Sequence, residues 1–159
     1  MSTALISVGK LREKPYRMMA DEYLKRLSRF GKIEEIEIQD LSEPENSSEA
    51  LEEQIKLREG TEILQRLKPN DYVVALTIPG KKLDSPQLAE RIGKLRIQGY
   101  GRIVFIIGGS LGLGANILAR ANEEISMSAM TFPHQLAKVM LLEQLYRAEK
   151  ILAGERYHK

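Results

Sequence analysis

The residues best suited to chemistry cluster around glycine rather than around reactive side chains. Residues 102–114 read RIVFIIGGSLGLG, an apolar, β-branched run that passes into a loop holding Gly108, Gly109, Gly112 and Gly114. Glycine lets the main chain turn sharply and lets a ligand lie against it. The loop also follows a strand pattern, and α/β sheets hold ligands beyond the carboxyl ends of their strands. Taken alone, it is equally compatible with a ligand cradle and with a tight turn. Two further segments favour the cradle. ALTIPG (residues 75–80) breaks at Pro-Gly after a second apolar run, and SMSAMTFPH (residues 126–134) offers small and sulfur-bearing side chains. Three such loops at one sheet edge form an apolar slot with free main-chain N–H and C=O groups, which suits a flat heterocycle such as adenine. For Met127 and Met130 the plain alternative is core filling.

Several familiar chemistries are excluded. The glycines lack the G-x-G-x-x-G spacing at a first strand–helix turn, and no Lys-Ser/Thr pair follows them. There is no G-x-S-x-G nucleophile elbow. With no cysteine, the chain has no disulfide, thiolate metal site or cysteine nucleophile, and it fits a reducing cytoplasm. Two histidines, His134 and His158, are a poor basis for a zinc site, so no metal is expected.

The elements that must position these loops follow from periodicity. Strands are expected over residues 3–8, 32–38, 71–78 and 102–107, with a fifth starting near Glu124 and ending at Met127 or Ser128. The runs at 71–78 and 102–107 are continuously apolar, as in strands covered on both faces. In KIEEIEI, Ile33, Ile36 and Ile38 alternate with glutamates, which predicts a wet side. Helices are expected over 15–30, 48–67, from Ser85 as N-cap and Pro86 in the first turn to about 97, 115–122 and 134–152; PGKKLDSP reads as a loop. The last helix has little purely polar surface and must be buried against a sheet or another subunit. Strands alternating with helices give an α/β fold with a mainly parallel sheet flanked by helices, in a single domain spanning residues 1–159. The N-terminal apolar run is too short for a signal peptide or a membrane span.

Charge is nearly balanced, 24 basic against 22 acidic residues, but unevenly distributed. Residues 10–32 are rich in Lys and Arg, and residues 34–62 are acidic. Lys10, Arg12, Lys14 and Arg17 form the densest cationic cluster, either a solvated helix face or a basic surface for a polyanion.

Together, LTIPGK, VFIIGGSLGL, SMSAMTFPHQL, LLEQLYRAEKI and the ending YHK resemble one family over essentially the whole chain. It is the small bacterial ribosomal RNA methyltransferases that methylate N3 of a pseudouridine in 23S rRNA, members of the SPOUT or α/β-knot class. The resemblance implies a C-terminal trefoil knot, which periodicity alone does not suggest because true knots are rare exceptions. It also implies S-adenosylmethionine as methyl donor, with S-adenosylhomocysteine as product. A homodimer is implied, with a substrate site drawing on both subunits. The implied target is the helix 69 hairpin loop of 23S rRNA in the assembled 70S ribosome.

Carried onto this sequence, the donor site comprises Leu76, Gly108, Met127, Ser128, Ala129, Met130, Thr131 and Phe132. Methyl transfer from a sulfonium needs alignment rather than a metal or a protein nucleophile. N3 carries a proton at neutral pH, so a group must accept it or steady the imidate that forms. His158 is the first candidate, with Lys159 to hold negative charge and Tyr157 to position the base; the resemblance implies that this tail closes on the active site. His134 is expected as a donor-site or capping residue before a base. Glu143 and Arg147, one helical turn apart, are either a surface ion pair or part of the substrate site at the dimer interface. Two other readings are a non-catalytic ribosome-binding factor using the basic face, and a nucleotide-dependent oxidoreductase, for which the dinucleotide fingerprint is missing.

Overall fold

A computed structural model describes residues 1–159. Five strands, β1 (Ser2–Val8), β2 (Ile33–Ile38), β3 (Asp71–Lys82), β4 (Arg102–Ile107) and β5 (Glu123–Ser126), form one sheet in the order β2-β1-β4-β3-β5. Every pairing is parallel. Five helices connect them: α1 (Lys14–Leu27), α2 (Glu49–Leu64), α3 (Ser85–Ile97), α4 (Ala115–Arg120) and α5 (His134–Leu152).

Strand side chains alternate between two cores. Leu5, Tyr72, Val74, Ile103, Phe105 and Ile107 face α1, α3 and α5, whereas Ala4, Ile6, Val8, Val73, Val104 and Ile106 face α2 and α4. That two-sided burial is the reason for the unbroken apolar runs. At the amino-terminal edge, Arg102 donates to both carboxylate oxygens of Asp71, at 3.1 and 2.7 Å, and to Glu34 at 2.7 Å.

The structure corrects four expectations. First, β3 does not end at Ile78. Leu76 and Lys81 both register against Ile125, so residues 77–80 bulge outward and the strand resumes. Pro79 is tolerated in the bulge because no ladder hydrogen bond is asked of it. Gly80 closes the excursion; a Cβ there would lie 2.7 Å from the Ile125 carbonyl carbon. Second, α3 is capped by Asp84 rather than Ser85, through a reciprocal capping box with Gln87. Third, Asn122 lies beyond α4 and stitches β3, its main-chain N–H donating to the Val73 carbonyl and its side chain accepting from the Val73 N–H, each at 2.8 Å. Fourth, only Glu34 of the β2 glutamates stays on a wet side. Glu35 and Glu37 point under α1 and α5, where they meet Arg17 and the fully buried Lys138.

No helix is long and apolar enough to cross a membrane.

Candidate active site

The carboxyl edge of the sheet opens into a cleft of about 830 Å³. Its walls are the bulge of β3 (Leu76, Thr77, Ile78, Pro79), the glycine loop after β4, the segment after β5, and the start of α5. These are the three loops picked out by sequence, plus one helix end.

The glycine loop is folded back on itself. Gly112 N–H donates to the Gly109 carbonyl at 3.0 Å, and Gly112 sits at φ +86°, a left-handed conformation that favours glycine. A Cβ on Gly108 would lie 2.7 Å from the Gly112 carbonyl carbon. The loop after β5 is also self-bonded: Ser126 Oγ donates to the Ser128 carbonyl, and Met130 N–H donates to Ser128 Oγ, both at 3.0 Å. Main chain, not side chain, therefore presents most of the polar groups here.

Of the eight donor-site residues predicted, seven line the cleft: Leu76, Gly108, Met127, Ser128, Met130, Thr131 and Phe132. Ala129 does not; it is exposed and turned away in the self-bonded loop. Met130 is no core filler, being 73% exposed at the rim. Thr77, Glu124 and Ala137 line the cleft without having been singled out.

His134 lines the cleft but caps nothing, since Pro133 precedes α5 without a side-chain cap bond. Its Nε2 is buried without a partner. It lies so close to Gly9 that a Cβ there would come within 2.7 Å of it, and Gly9 has φ +93°. The next residues follow α5 as well, Glu13 N–H donating to Gln135 Oε1 at 3.2 Å. The segment carrying Lys10, Arg12 and Lys14 is thus held beside the cleft, and all three are exposed. Arg17 is not part of that free surface: Asp21, Glu35 and Glu37 occupy it at 2.7, 3.1 and 3.3 Å.

The tail residues form a second cluster. Arg147 donates to Glu143 at 2.5 Å and stacks over the Tyr157 ring at 4.6 Å. Tyr157 donates to the same Glu143 oxygen at 3.2 Å and packs edge-on against Tyr146. Burial, then the Glu143 carboxylate, holds the Tyr157 phenol above its ordinary pKa, with Arg147 pulling the other way. Glu155 anchors the tail through Arg29 and Lys150. Arg147 Nη1 lies 3.3 Å from His158 Nδ1. Arginine only donates, so Nδ1 presents its lone pair, and a neutral ring then carries its hydrogen on Nε2. Lys159 is exposed and makes no side-chain contact.

The two clusters are far apart in one chain. Glu143 and Arg147 lie nine and thirteen residues beyond His134, roughly 14 and 20 Å along a helix rising about 1.5 Å per residue. No residue from Glu143 onward lines the cleft. The tail therefore closes on the far end of its own α5, not on its own cleft.

The cleft fits a nucleoside-bearing donor. Its volume falls in the range of small-molecule sites, and its apolar walls and exposed main chain suit an adenine ring. No group of side chains is arranged to hold a metal ion.

Comparison with known proteins places this geometry in a family. The model described as "Predicted SPOUT methyltransferase" matches residues 1–158. Proteins named ribosomal RNA large subunit methyltransferase H are similar over their full length and that of this chain: 52% identical in Clostridium novyi, 50% in Alkaliphilus oremlandii and 51% in Bifidobacterium animalis. The chain, with its glycine-lined cleft at the edge of a parallel sheet, belongs to the SPOUT methyltransferase family.

Proposed function

We propose that the protein transfers the methyl group of S-adenosylmethionine to N3 of a pseudouridine in the helix 69 hairpin loop of 23S rRNA. The substrate is the assembled 70S ribosome, and the enzyme acts as a cytoplasmic homodimer with its C-terminal segment threaded in the trefoil knot of its class. The single observation that carries this reading is the cleft: three glycine-, proline- and methionine-bearing loops meet there, in a chain half identical to named ribosomal RNA methyltransferases.

When bound, the donor supplies an activated methyl on a positive sulfur. Leu76, Met127 and Phe132 wall its base, and the main chain around Gly108 approaches its edge. Orientation is the chain's contribution, because an aligned donor and acceptor need little further activation. As N3 gives up its proton to solvent water, charge gathers on the neighbouring carbonyl oxygens. His158, with Nδ1 engaged by Arg147, offers an Nε2–H to that charge; Lys159 adds a positive group and Tyr157 a flat face for the base.

The separation along α5 supports the dimer. One chain cannot bring its tail to its own cleft, whereas a second copy packed across α5 can bring its Glu143, Arg147, Tyr157 and His158 there. Lys10, Arg12 and Lys14 then flank the cleft as phosphate contacts.

Calorimetry with S-adenosylmethionine, and with NAD as control, tests the donor. Methylation of ribosomes that lack the modification, mapped to the base, tests the target. Binding of the methyl donor alone and labelling of one pseudouridine are expected. In single turnover on saturating ribosomes, His158→Ala should lower the rate by about 100-fold or more, as loss of an acid–base or oxyanion group does. NAD binding alone, or methylation of free RNA in preference to ribosomes, contradicts the reading.

A further inference from the structure

Glu124 is the one carboxylate that lines the cleft, and no Lys or Arg lines it. Its neighbours there are apolar, glycine or neutral hydroxyl residues, with the His134 imidazole as the only other titratable group. The carboxylate is half-buried at the second position of β5. One oxygen, Oε1, accepts from Thr77 Oγ1 at 3.0 Å, and Glu124 forms no ion pair with any residue of the chain. The neighbouring Glu123, by contrast, is neutralised by Arg91 at 3.1 Å outside the cleft. A carboxylate kept without a counter-ion in an otherwise uncharged pocket makes that pocket electrostatically negative.

That asymmetry bears on what the cleft holds before and after reaction. The methyl donor and its demethylated product differ in one methyl group and one charge: the donor carries a sulfonium, the product a neutral thioether. The adenosine, the ammonium and the carboxylate are common to both. Contacts that read those shared parts bind donor and product alike. Only a group that touches the methyl or senses the sulfonium charge separates them, and Glu124 is the one carboxylate in the cleft that can attract that charge.

We propose that Glu124, held by Thr77, determines the preference of this cleft for the positively charged methyl donor over its neutral product. The inference rests on the donor reading given above. The same carboxylate favours exchange after turnover, since loss of the methyl removes the charge that Glu124 attracts.

The test is calorimetry of the full chain with S-adenosylmethionine and S-adenosylhomocysteine, for the wild type, Glu124→Gln and Glu124→Asp, at low and high salt. In Glu124→Gln the donor affinity should fall about tenfold while the product affinity stays within about twofold. Glu124→Asp, which keeps the charge, should retain most of the preference. Added salt should erode the preference of the wild type but not that of Glu124→Gln. Thermal unfolding of each variant checks that the β3–β5 pairing is intact. If donor and product weaken together, Glu124 reads a shared group and the proposal is overturned; if neither changes, it is overturned as well. If the wild type binds neither ligand, the donor reading itself fails and takes this proposal with it.

Discussion

Strands β3 and β4 begin and end in opposite ways. Their first residues, Asp71 and Arg102, hold one another through two hydrogen bonds with side chains only 2% and 5% exposed. Toward the other edge β3 breaks into a bulge and β4 passes into a glycine loop, and the polar groups there are mostly main chain. One edge spends its side chains on closure, and the other leaves its main chain available to a ligand. The comparison teaches that a parallel sheet can sort stability and chemistry to opposite ends of the same two strands. Each end can then be damaged without the other.

The largest effect should come from the closed edge. Asp71→Ala leaves Arg102 buried with only the half-exposed Glu34 carboxylate and the Arg66 carbonyl as partners and should cost about 3–5 kcal/mol in denaturant unfolding. Donor affinity of the folded fraction should stay within about twofold. A loss below about 1 kcal/mol would break the comparison. The same pair sets an acid limit. Burial pushes the Asp71 carboxyl up, but hydrogen bonds from Arg102 and the Lys68 N–H outweigh it, and the carboxyl titrates below its ordinary value. A depressed folded value gives stability that is present above the unfolded value of about 3.9 and lost as pH falls through the folded one. The gap in Tm between the wild type and Asp71→Asn should therefore narrow below about pH 4.

At the open edge, Gly108→Ala forces a Cβ against the Gly112 carbonyl, and the loop must move. Donor affinity should fall about 100-fold, roughly 2.7 kcal/mol. Tm should stay within about 3 °C, the shift expected of less than 1 kcal/mol in a chain of this size. Equal damage to both readouts would mean that the loop is structural.

The smallest effect sharpens the comparison at the rim. Replacing Lys10, Arg12 and Lys14 together with glutamine should raise KM for ribosomes about tenfold and flatten its salt dependence, with donor affinity unchanged. Arg17→Gln should not reproduce it, because carboxylates already occupy Arg17.

The sequence pattern made the order of elements legible, because two-sided burial writes itself as unbroken apolar runs and glycine marks the loops. Seven of the eight residues that the family resemblance assigns to the donor site line the cleft. What stayed hidden depends on partners distant in the chain. PGKK reads as a loop because the strand pairing that rescues it requires β5 against Gly80. Arg17 reads as a free cation because two of its three acids, Glu35 and Glu37, sit on a strand whose face is fixed by α5 and Lys138. Ala129 drops out of the cleft lining in the loop that Ser128 ties to itself, and Glu124 enters it through its bond to Thr77. Nor does spacing show that YHK folds back on Arg147, since Glu155 must first be pinned by Arg29.

The main-chain character of the cleft has a pharmacological consequence. A competitive inhibitor usually loses its grip when one contacting side chain is replaced. Here the carbonyls around Gly108, Gly109 and Gly112 survive every substitution and their N–H groups all but proline, and on the donor reading proposed above enlarging Gly108 obstructs the loop that the methyl donor itself needs. An inhibitor that reads those carbonyls and N–H groups leaves the organism few escape routes that preserve its own enzyme. Resistance would have to arise at Glu124, Met130 or other side chains of the rim, and those are the positions on which such a compound should not depend.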